Sequence, residues 1–433
     1  MTETEEKEIL DILYSELVPA LGCTEPIAIA YASAKARQIL GTEPSHIDIC
    51  CSGNIIKNVK GVLVPNSGGM KGVGAAAVLG VVGGNADLGL EVLSEVNESH
   101  IAKAKELLSG SFFSCRLQKN VANLYIVATV SGGAHSASVT IINRHTAITE
   151  MKKDGEVIYQ LSRHADGQED QTKKKPWTLT MAGILDFAKN VSLEEVRPLL
   201  ESQIELNSAI AREGLSRDFG AQVGRTILQC YPDDVRTRAR AYAAAGSDAR
   251  MSGCSMPVVI NSGSGNQGMT VSLPVLEYAR EWKVPEEMLY RALLISNLTA
   301  IHLKHYIGSL SAFCGAVSAA CAAGCAITYM AGGSDMQICN TIINTLANVG
   351  GIVCDGAKAS CAAKIASAVD AAILGYHMSM NGHCFQAGDG IIQDDIEQTI
   401  RSIGYVGRVG MKETDEEILN IMMDHVDFHE ETE

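Results

Sequence analysis

Apolar side chains recur at helical spacing from the start of the chain. Over residues 4–18 acidic and apolar positions interleave, with Ile9, Leu10, Ile12, Leu13 and Leu17 as the apolar set, which predicts an amphipathic helix. Pro19 and Gly22 interrupt it, and a second helix is predicted from Thr24, with Glu25 and Pro26 in its first turn. The period then drops to two. Residues 46–51 (HIDICC) and 121–130 (VANLYIVATV) alternate as strands, and 137–143 (ASVTIIN) follows a Gly-Gly turn in the manner of a hairpin. Between them, 69–80 (GMKGVGAAAVLG) reads as a glycine-rich entry into a packed helix.

Composition turns polar and charged at 164–176 (HADGQEDQTKKKP), the best linker candidate. Beyond it strand signals fade. Helical patterns follow at 193–214, 216–230, 233–246, 267–282, 286–304, 309–331, 336–352, 358–374 and 391–404, separated by Gly-rich turns. The predicted fold class is therefore α+β: a mixed α/β domain over 1–170, then a larger all-helical domain over 171–433. Residues 305–334 contain no Asp, Glu, Lys or Arg, a stretch long enough to span a bilayer. Its Ala, Gly, Ser and Cys content would drive insertion weakly, so the expectation is a helix buried on all sides within the helical domain, and no membrane association.

Charge narrows the partners. With 35 Lys plus Arg against 50 Asp plus Glu, the chain carries −15. That balance repels phosphate backbones, so nucleic acid is not an expected partner. Hydrophobic content of 46% against 20% charged residues supports a large core. The opening MTETEEKE lacks the basic and apolar regions of a signal peptide, and a cytoplasmic location is expected. In that reducing setting the 13 cysteines should not build a disulfide framework. The plain reading of any one of them is a small buried hydrophobe. A homo-oligomer is compatible with the sequence.

Four stretches carry candidate chemistry. In ALGCTEP (20–26) Cys23 precedes a helix N-terminus, whose positive end favours thiolate; the plain alternative is a small residue at a turn. In NSGSGNQGM (261–269) backbone N–H groups ahead of a helix could hold a carboxylate or phosphate, or simply cap it. The loop lacks the Lys-Ser or Lys-Thr of a Walker motif. Cys314, Cys321 and Cys325 share a face at steps of seven and four, as core packing would also produce. In CDGAKASC (354–361) a continuous helix would separate Cys354 and Cys361 by about 10.5 Å, yet Asp355-Gly356 makes a loop that could fold Cys354 back. A third thiol from Cys314, Cys321, Cys325 or Cys339 would complete a three-sulfur face, and spacing alone does not choose among them. No CxxC pair suggests a zinc ribbon, whereas scattered thiolates suit an iron–sulfur cluster. His302 and His305 share a helix face and could ligate metal, though partly exposed helix positions are the ordinary reading.

Together these stretches resemble the L-cysteine desulfidase family, a relative of the iron–sulfur L-serine dehydratases, over nearly the whole chain. The motifs ALGCTEP, SGSGNQG (262–268), LSAFCGA (310–316) and CDGAKASC carry the likeness, with cysteines spaced by 40 and then seven residues. The resemblance implies Cys314, Cys354 and Cys361 as ligands of a [4Fe–4S] cluster and Cys23 as the catalytic base. It also implies α,β-elimination of L-cysteine to pyruvate, ammonia and sulfide. Three protein thiolates would leave one iron open as a Lewis acid. Ser262, Ser264, Gly265, Asn266 and Gln267, with Thr24, are the candidate anchors of the substrate carboxylate, and Glu25 would orient the CTEP motif. Serine dehydratases carry a Ser-His-Thr motif in place of CTEP, which favours cysteine as substrate here. The alternatives are an iron–sulfur L-serine dehydratase, a pyridoxal-phosphate lyase using Lys358, and a non-catalytic cluster-based redox sensor.

Overall fold

The computed structural model describes residues 1–161, 177–308 and 310–423. The predicted linker at 164–176 and the predicted domain boundary at 170/171 lie outside the described residues. The chain divides into two units, one made of Met1–Gly22 with Leu179–Glu433 and the other of Cys23–Thr178. It opens with α1 (Glu3–Glu16), capped by Thr2 and Glu5 in a reciprocal capping box, followed by the short strand β1 (Pro19–Leu21).

The unit of Cys23–Thr178 is mixed. Its helices are α2 (Thr24–Leu40), α3 (Gly53–Val59), α4 (Gly72–Gly83) and α5 (Glu98–Leu108), with a 3-10 segment at Ala86–Glu91. Six strands, β2 (His46–Cys51), β3 (Phe113–Leu117), β4 (Tyr125–Gly132), β5 (His135–Ile142), β6 (Ile148–Lys153) and β7 (Glu156–Gln160), form one sheet in the order β3-β2-β4-β5-β6-β7. Only β2 and β3 run parallel; the remaining pairs are antiparallel. Along β4 every second residue is buried, Ile126, Ala128 and Val130 among them, as a sheet with one covered face requires. Helix α2 packs against β4 and β5 on one side and against α4 on another. It is accordingly apolar almost all round.

The other unit is helical. After α1 and β1 it contains α6 (Met181–Asn190), α7 (Leu193–Ser216), α8 (Val223–Cys230), α9 (Val235–Met251), strand β8 (Pro257–Val259), α10 (Gly265–Trp282), α11 (Glu286–Ile307), α12 (Gly315–Met330), α13 (Asp335–Val349), α14 (Cys361–Met380), α15 (Ile396–Tyr405) and α16 (Lys412–Met422). β1 pairs antiparallel with β8, Pro19 opposite Val259 and Leu21 opposite Pro257. Helix α12 is the most enclosed element, packed by α10, α11, α13 and α14, with Ala316–Ile327 buried throughout. Its Ala, Gly, Ser and Cys content lets four neighbours approach at once. The stretch without charges at 305–334 is thus split: α11 ends at Ile307 and α12 starts only at Gly315. No helix among the described residues is long and apolar enough to cross a membrane.

Close approach recurs elsewhere in this unit. A Cβ on Gly214 of α7 would stand 2.0 Å from the Ala245 carbonyl oxygen of α9. Because backbone cannot move aside as a side chain can, Gly214→Ala should cost on the order of 1–3 kcal/mol, read as a lower urea midpoint at unchanged slope. A second expectation concerns pH. Asp248 on α9 accepts the Gly224 N–H at the start of α8 at 3.0 Å. Burial raises its carboxyl from the ordinary 3.8 to about 6, with the Gly224 and Val223 N–H groups opposing the rise. The folded chain therefore holds this proton more tightly than the unfolded chain does. The contribution of Asp248 is most favourable below pH ~4, falls as pH rises through about 6, and then levels off. The fall is at most about 3 kcal/mol. Asp248→Asn should flatten this part of the stability profile, measured by denaturant melts between roughly pH 4 and 7.

Candidate functional site

Two separate backbone segments meet ahead of α12. Phe313 and Val353 form an antiparallel bridge. On its two sides the Cys314 N–H donates to the Ile352 carbonyl at 3.0 Å and the Cys354 N–H to the Ala312 carbonyl at 2.6 Å. This pairing brings the Cys314 and Cys354 thiols into hydrogen-bonding contact, and Cys361 lies within electrostatic reach of both. Cys314 is the N-cap of α12 and Cys361 the first residue of α14. Both thiols therefore sit at the positive ends of long helices. Between them, Gly356 takes a left-handed φ of 92°, which turns the chain back as Asp355-Gly356 suggested.

The hydrogen bond to Cys354 and burial together push the Cys314 thiol well up. Burial does the same for Cys361, offset in part by a backbone N–H and by Lys364 and Lys358. Both lysines pair with Asp355. Burial works against the charge on Asp355, yet the hydrogen bonds from Lys358 and Lys364 outweigh it and hold the carboxyl at about 2. Lys364 also donates to the Val353 carbonyl at 2.7 Å, which ties the cation to the bridging strand. Lys358 is thus engaged in an ion pair on the cysteine loop.

Cys321 and Cys325 belong to the core. Both are fully buried in α12, and their thiols face the Ile342 and Ile338 carbonyls of α13 at 3.9 and 3.7 Å. Cys339 is half-buried, and burial raises its thiol to about 11. Among the described residues, which include all 13 cysteines, there is no disulfide. No group of three or more His, Cys, Asp or Glu among them is set to hold a single metal ion. His302 departs from the expectation of a partly exposed position. It is fully buried, with Nε2 2.8 Å from Glu397 Oε2. His305 is exposed.

The 261–268 loop lies in the same helical unit. Asn261 and Ser264 exchange backbone hydrogen bonds, and Ser262 and Gly263 between them take φ of 51° and 76°. A left-handed conformation at a non-glycine residue such as Ser262 is uncommon and concentrates at functional sites. Ser264 caps α10, its hydroxyl accepting the Gln267 N–H. Asn207, buried on α7, holds the arrangement from below: its Nδ2 donates to the Val259 and Gly268 carbonyls and its Oδ1 accepts the Val259 N–H. Gly268 sits so close to β8 that a Cβ there would be 2.0 Å from the Val259 oxygen. The loop also touches the cysteine region, because a Cβ on Gly315 would meet the Gln267 amide carbon at 2.7 Å. Gln267 therefore packs one residue from Cys314.

One neighbour of the loop escaped sequence reasoning. Arg250 in the last turn of α9 is 2% exposed. Its Nη1 donates to Asn266 Oδ1 at 3.2 Å, and its Nε and Nη2 are buried with no hydrogen-bond partner, as is Gln267 Oε1. Arg250 is one of four arginines in α9, and nothing in the sequence marks it as the buried one.

The CTEP motif opens the other unit. Cys23 is the N-cap of α2 and is buried, as are Thr24 and Glu25. The Cys23 thiol donates to Glu25 Oε2 at 3.0 Å, and the Thr24 hydroxyl reaches the same oxygen at 3.3 Å. One carboxylate oxygen thus orients both side chains.

The sequence profile of the serine dehydratase alpha chain family matches residues 87–420. The chain is 53% identical over 417 residues to a UPF0597 protein of Lachnoclostridium phytofermentans, covering 96% of this chain and 99% of that protein. It is 51% identical to a UPF0597 protein of Desulfitobacterium hafniense over 414 residues, 96% of each. With a UPF0597 protein of Treponema denticola it shares 49% identity over 432 residues, 98% of this chain and 99% of the other. The chain belongs to the serine dehydratase alpha chain family.

Proposed function

We propose that this chain is an iron–sulfur-dependent lyase that eliminates sulfide from L-cysteine, giving pyruvate and ammonia. Family membership supports the coarser part, a serine dehydratase-like lyase of the iron–sulfur type. The observation that carries the finer part is the contact of the Cys314 and Cys354 thiols, with Cys361 in electrostatic reach, beside the 261–268 loop. The donor set suits a polynuclear cluster, in which each thiolate binds a different iron and no two need share one metal atom. Two helix N-termini and the nearby Lys358 and Lys364 favour thiolate over thiol when iron is bound. When bound, a [4Fe–4S] cluster on three protein thiolates supplies a Lewis-acidic iron without a protein ligand.

The chain's own residues account for substrate handling and proton transfer. The α10 N-terminus and its loop, through Ser262, Ser264, Gly265 and Asn266, receive the substrate carboxylate, and Gln267 contacts the substrate from the same turn. Cys23 acts as the base, and Glu25 Oε2, 3.0 Å from Sγ, is placed to take the thiol proton. The Cys23 thiolate then removes the α-proton of the substrate. The electron pair left at Cα forms the Cα–Cβ double bond as the Cβ–S bond breaks and sulfide departs. The resulting aminoacrylate tautomerises to an imine, which water hydrolyses to pyruvate and ammonia. Thr24 holds Glu25 and supplies a further donor at the motif. L-serine is the second reading, favoured by the family's own description; for it the same steps release water.

Anaerobic reconstitution with iron and sulfide, followed by rates on L-cysteine and L-serine, tests the proposal. Sulfide release that requires the iron supports it, whereas a chain that binds no iron overturns it. Cys354→Ser should lose iron and its visible charge-transfer absorbance, while Cys321→Ser, altered only in the core, should retain both. Cys23→Ser should keep the iron and absorbance but lose ~10²–10⁴-fold in turnover, which separates a lyase from a redox sensor whose spectral response would survive.

A further inference from the structure

Arg250 is costly as it stands. A buried guanidinium needs a counter-charge or a full set of acceptors. Among the described residues it has one, Asn266 Oδ1 on Nη1. Its side chain also lies against the wrong end of a helix. A Cβ on Gly265, the first residue of α10, would meet Nε at 2.4 Å and Cζ at 2.8 Å, so the cation packs on the N-terminal turn, where the dipole and the unpaired N–H groups are already positive. Its own helix end, the C-terminus of α9, offsets only part of this.

The unpaired atoms are the informative ones. Nε and Nη2 form the side-on edge of the guanidinium, the edge that takes a carboxylate by two parallel hydrogen bonds. Nη1, on the other side, is the nitrogen that Asn266 fixes. Gln267, 5% exposed, leaves Oε1 without a donor. The end of α9 and the first turn of α10 thus present together an unmet pair of donors for an anion and an unmet acceptor for a cation. That is the polar signature of an α-amino acid. Gln267 also packs on Gly315, beside Cys314, so the third substituent of such a ligand would be directed to the thiols.

We infer that Arg250 is the specificity residue for the α-carboxylate, binding it through Nε and Nη2 with the α10 N-terminus, while Gln267 Oε1 accepts from the α-ammonium. The inference rests on the lyase reading for the identity of the ligand and goes beyond it in naming the residues that select an amino acid over a simple thiol.

Isothermal titration of the full-length chain with pyruvate, L-serine and cysteamine, a thiol amine without a carboxylate, tests it. Pyruvate and L-serine should bind the wild-type chain, and Arg250→Gln should weaken both by roughly 10–100-fold while leaving any cysteamine binding unchanged. Should Arg250→Gln fail to fold by circular dichroism, Arg250→Lys decides. It keeps the charge but not the two-pronged edge, and should weaken pyruvate by several-fold. Gln267→Leu should weaken L-serine and spare pyruvate, which has no ammonium. The inference is overturned if pyruvate does not bind the wild-type chain, or binds the Arg250 variants as tightly. A chain that binds pyruvate through Arg250 but releases no sulfide from L-cysteine keeps this site and sinks the lyase reading. Sulfide release with KM unchanged in Arg250→Gln does the reverse.

Discussion

Three residues of extended backbone govern the candidate site. The bridge between 312–314 and 352–354 is too short to count as a strand, yet it joins the start of α12 to the loop before α14. It sets side by side Cys314 and Cys354, which are 40 residues apart along the chain. The bridge is itself constrained. Ser311 donates to the Gly407 carbonyl at 2.5 Å and accepts the Phe313 N–H at 3.0 Å, and Phe313 is almost fully buried. A hydroxyl, a phenyl ring and two backbone hydrogen bonds thus fix where the thiols point.

Electrostatics adds a second layer. Helices α10, α12 and α14 begin in one region of the helical unit, linked by the Gln267–Gly315 contact and the cysteine bridge. Their N-termini sum to a positive local field. Arg250, Lys358 and Lys364 add cations, and Asp355 compensates the two lysines. Such a region suits thiolates, sulfide and carboxylates, the species that the proposed reaction brings to it. An arrangement with this much positive field and so few acids would be poor packing if its only role were to fill a core.

Much of this was legible in the chain itself. Strand β2 coincides with the alternation read at 46–51, and the α+β order of a mixed region before a larger helical one is observed. Periodicity overran where tertiary contacts override it. Residues 310–314 match a helical pattern, but the bridge to 352–354 takes their backbone donors, so α12 starts late. Likewise α14 begins at Cys361 rather than 358, because Lys358 and the Gly356 turn shape the loop. His302 reads as a partly exposed helix position because its partner Glu397 lies 95 positions away. Arg250 stayed invisible for a related reason: burial of a lone cation is decided by neighbours that no local pattern encodes. The glycine-rich loop was readable as an anion candidate, whereas the residue that completes it was not.

The pairing of β1 with β8 has a consequence for biogenesis. Residues 19–21 hydrogen-bond to residues 257–259, so an early segment of the nascent polypeptide must wait for a partner synthesised more than 230 positions later. At about 5–20 residues per second, that delay lasts on the order of 10–50 s on the ribosome. The interposed sheet unit can acquire its own shape during the pause, while the helical unit stays open at one edge until translation is well past its midpoint. Chaperone dependence during expression would therefore concentrate on the helical half, and separating the two halves by a simple cut after residue 178 would strand β1 on the wrong fragment.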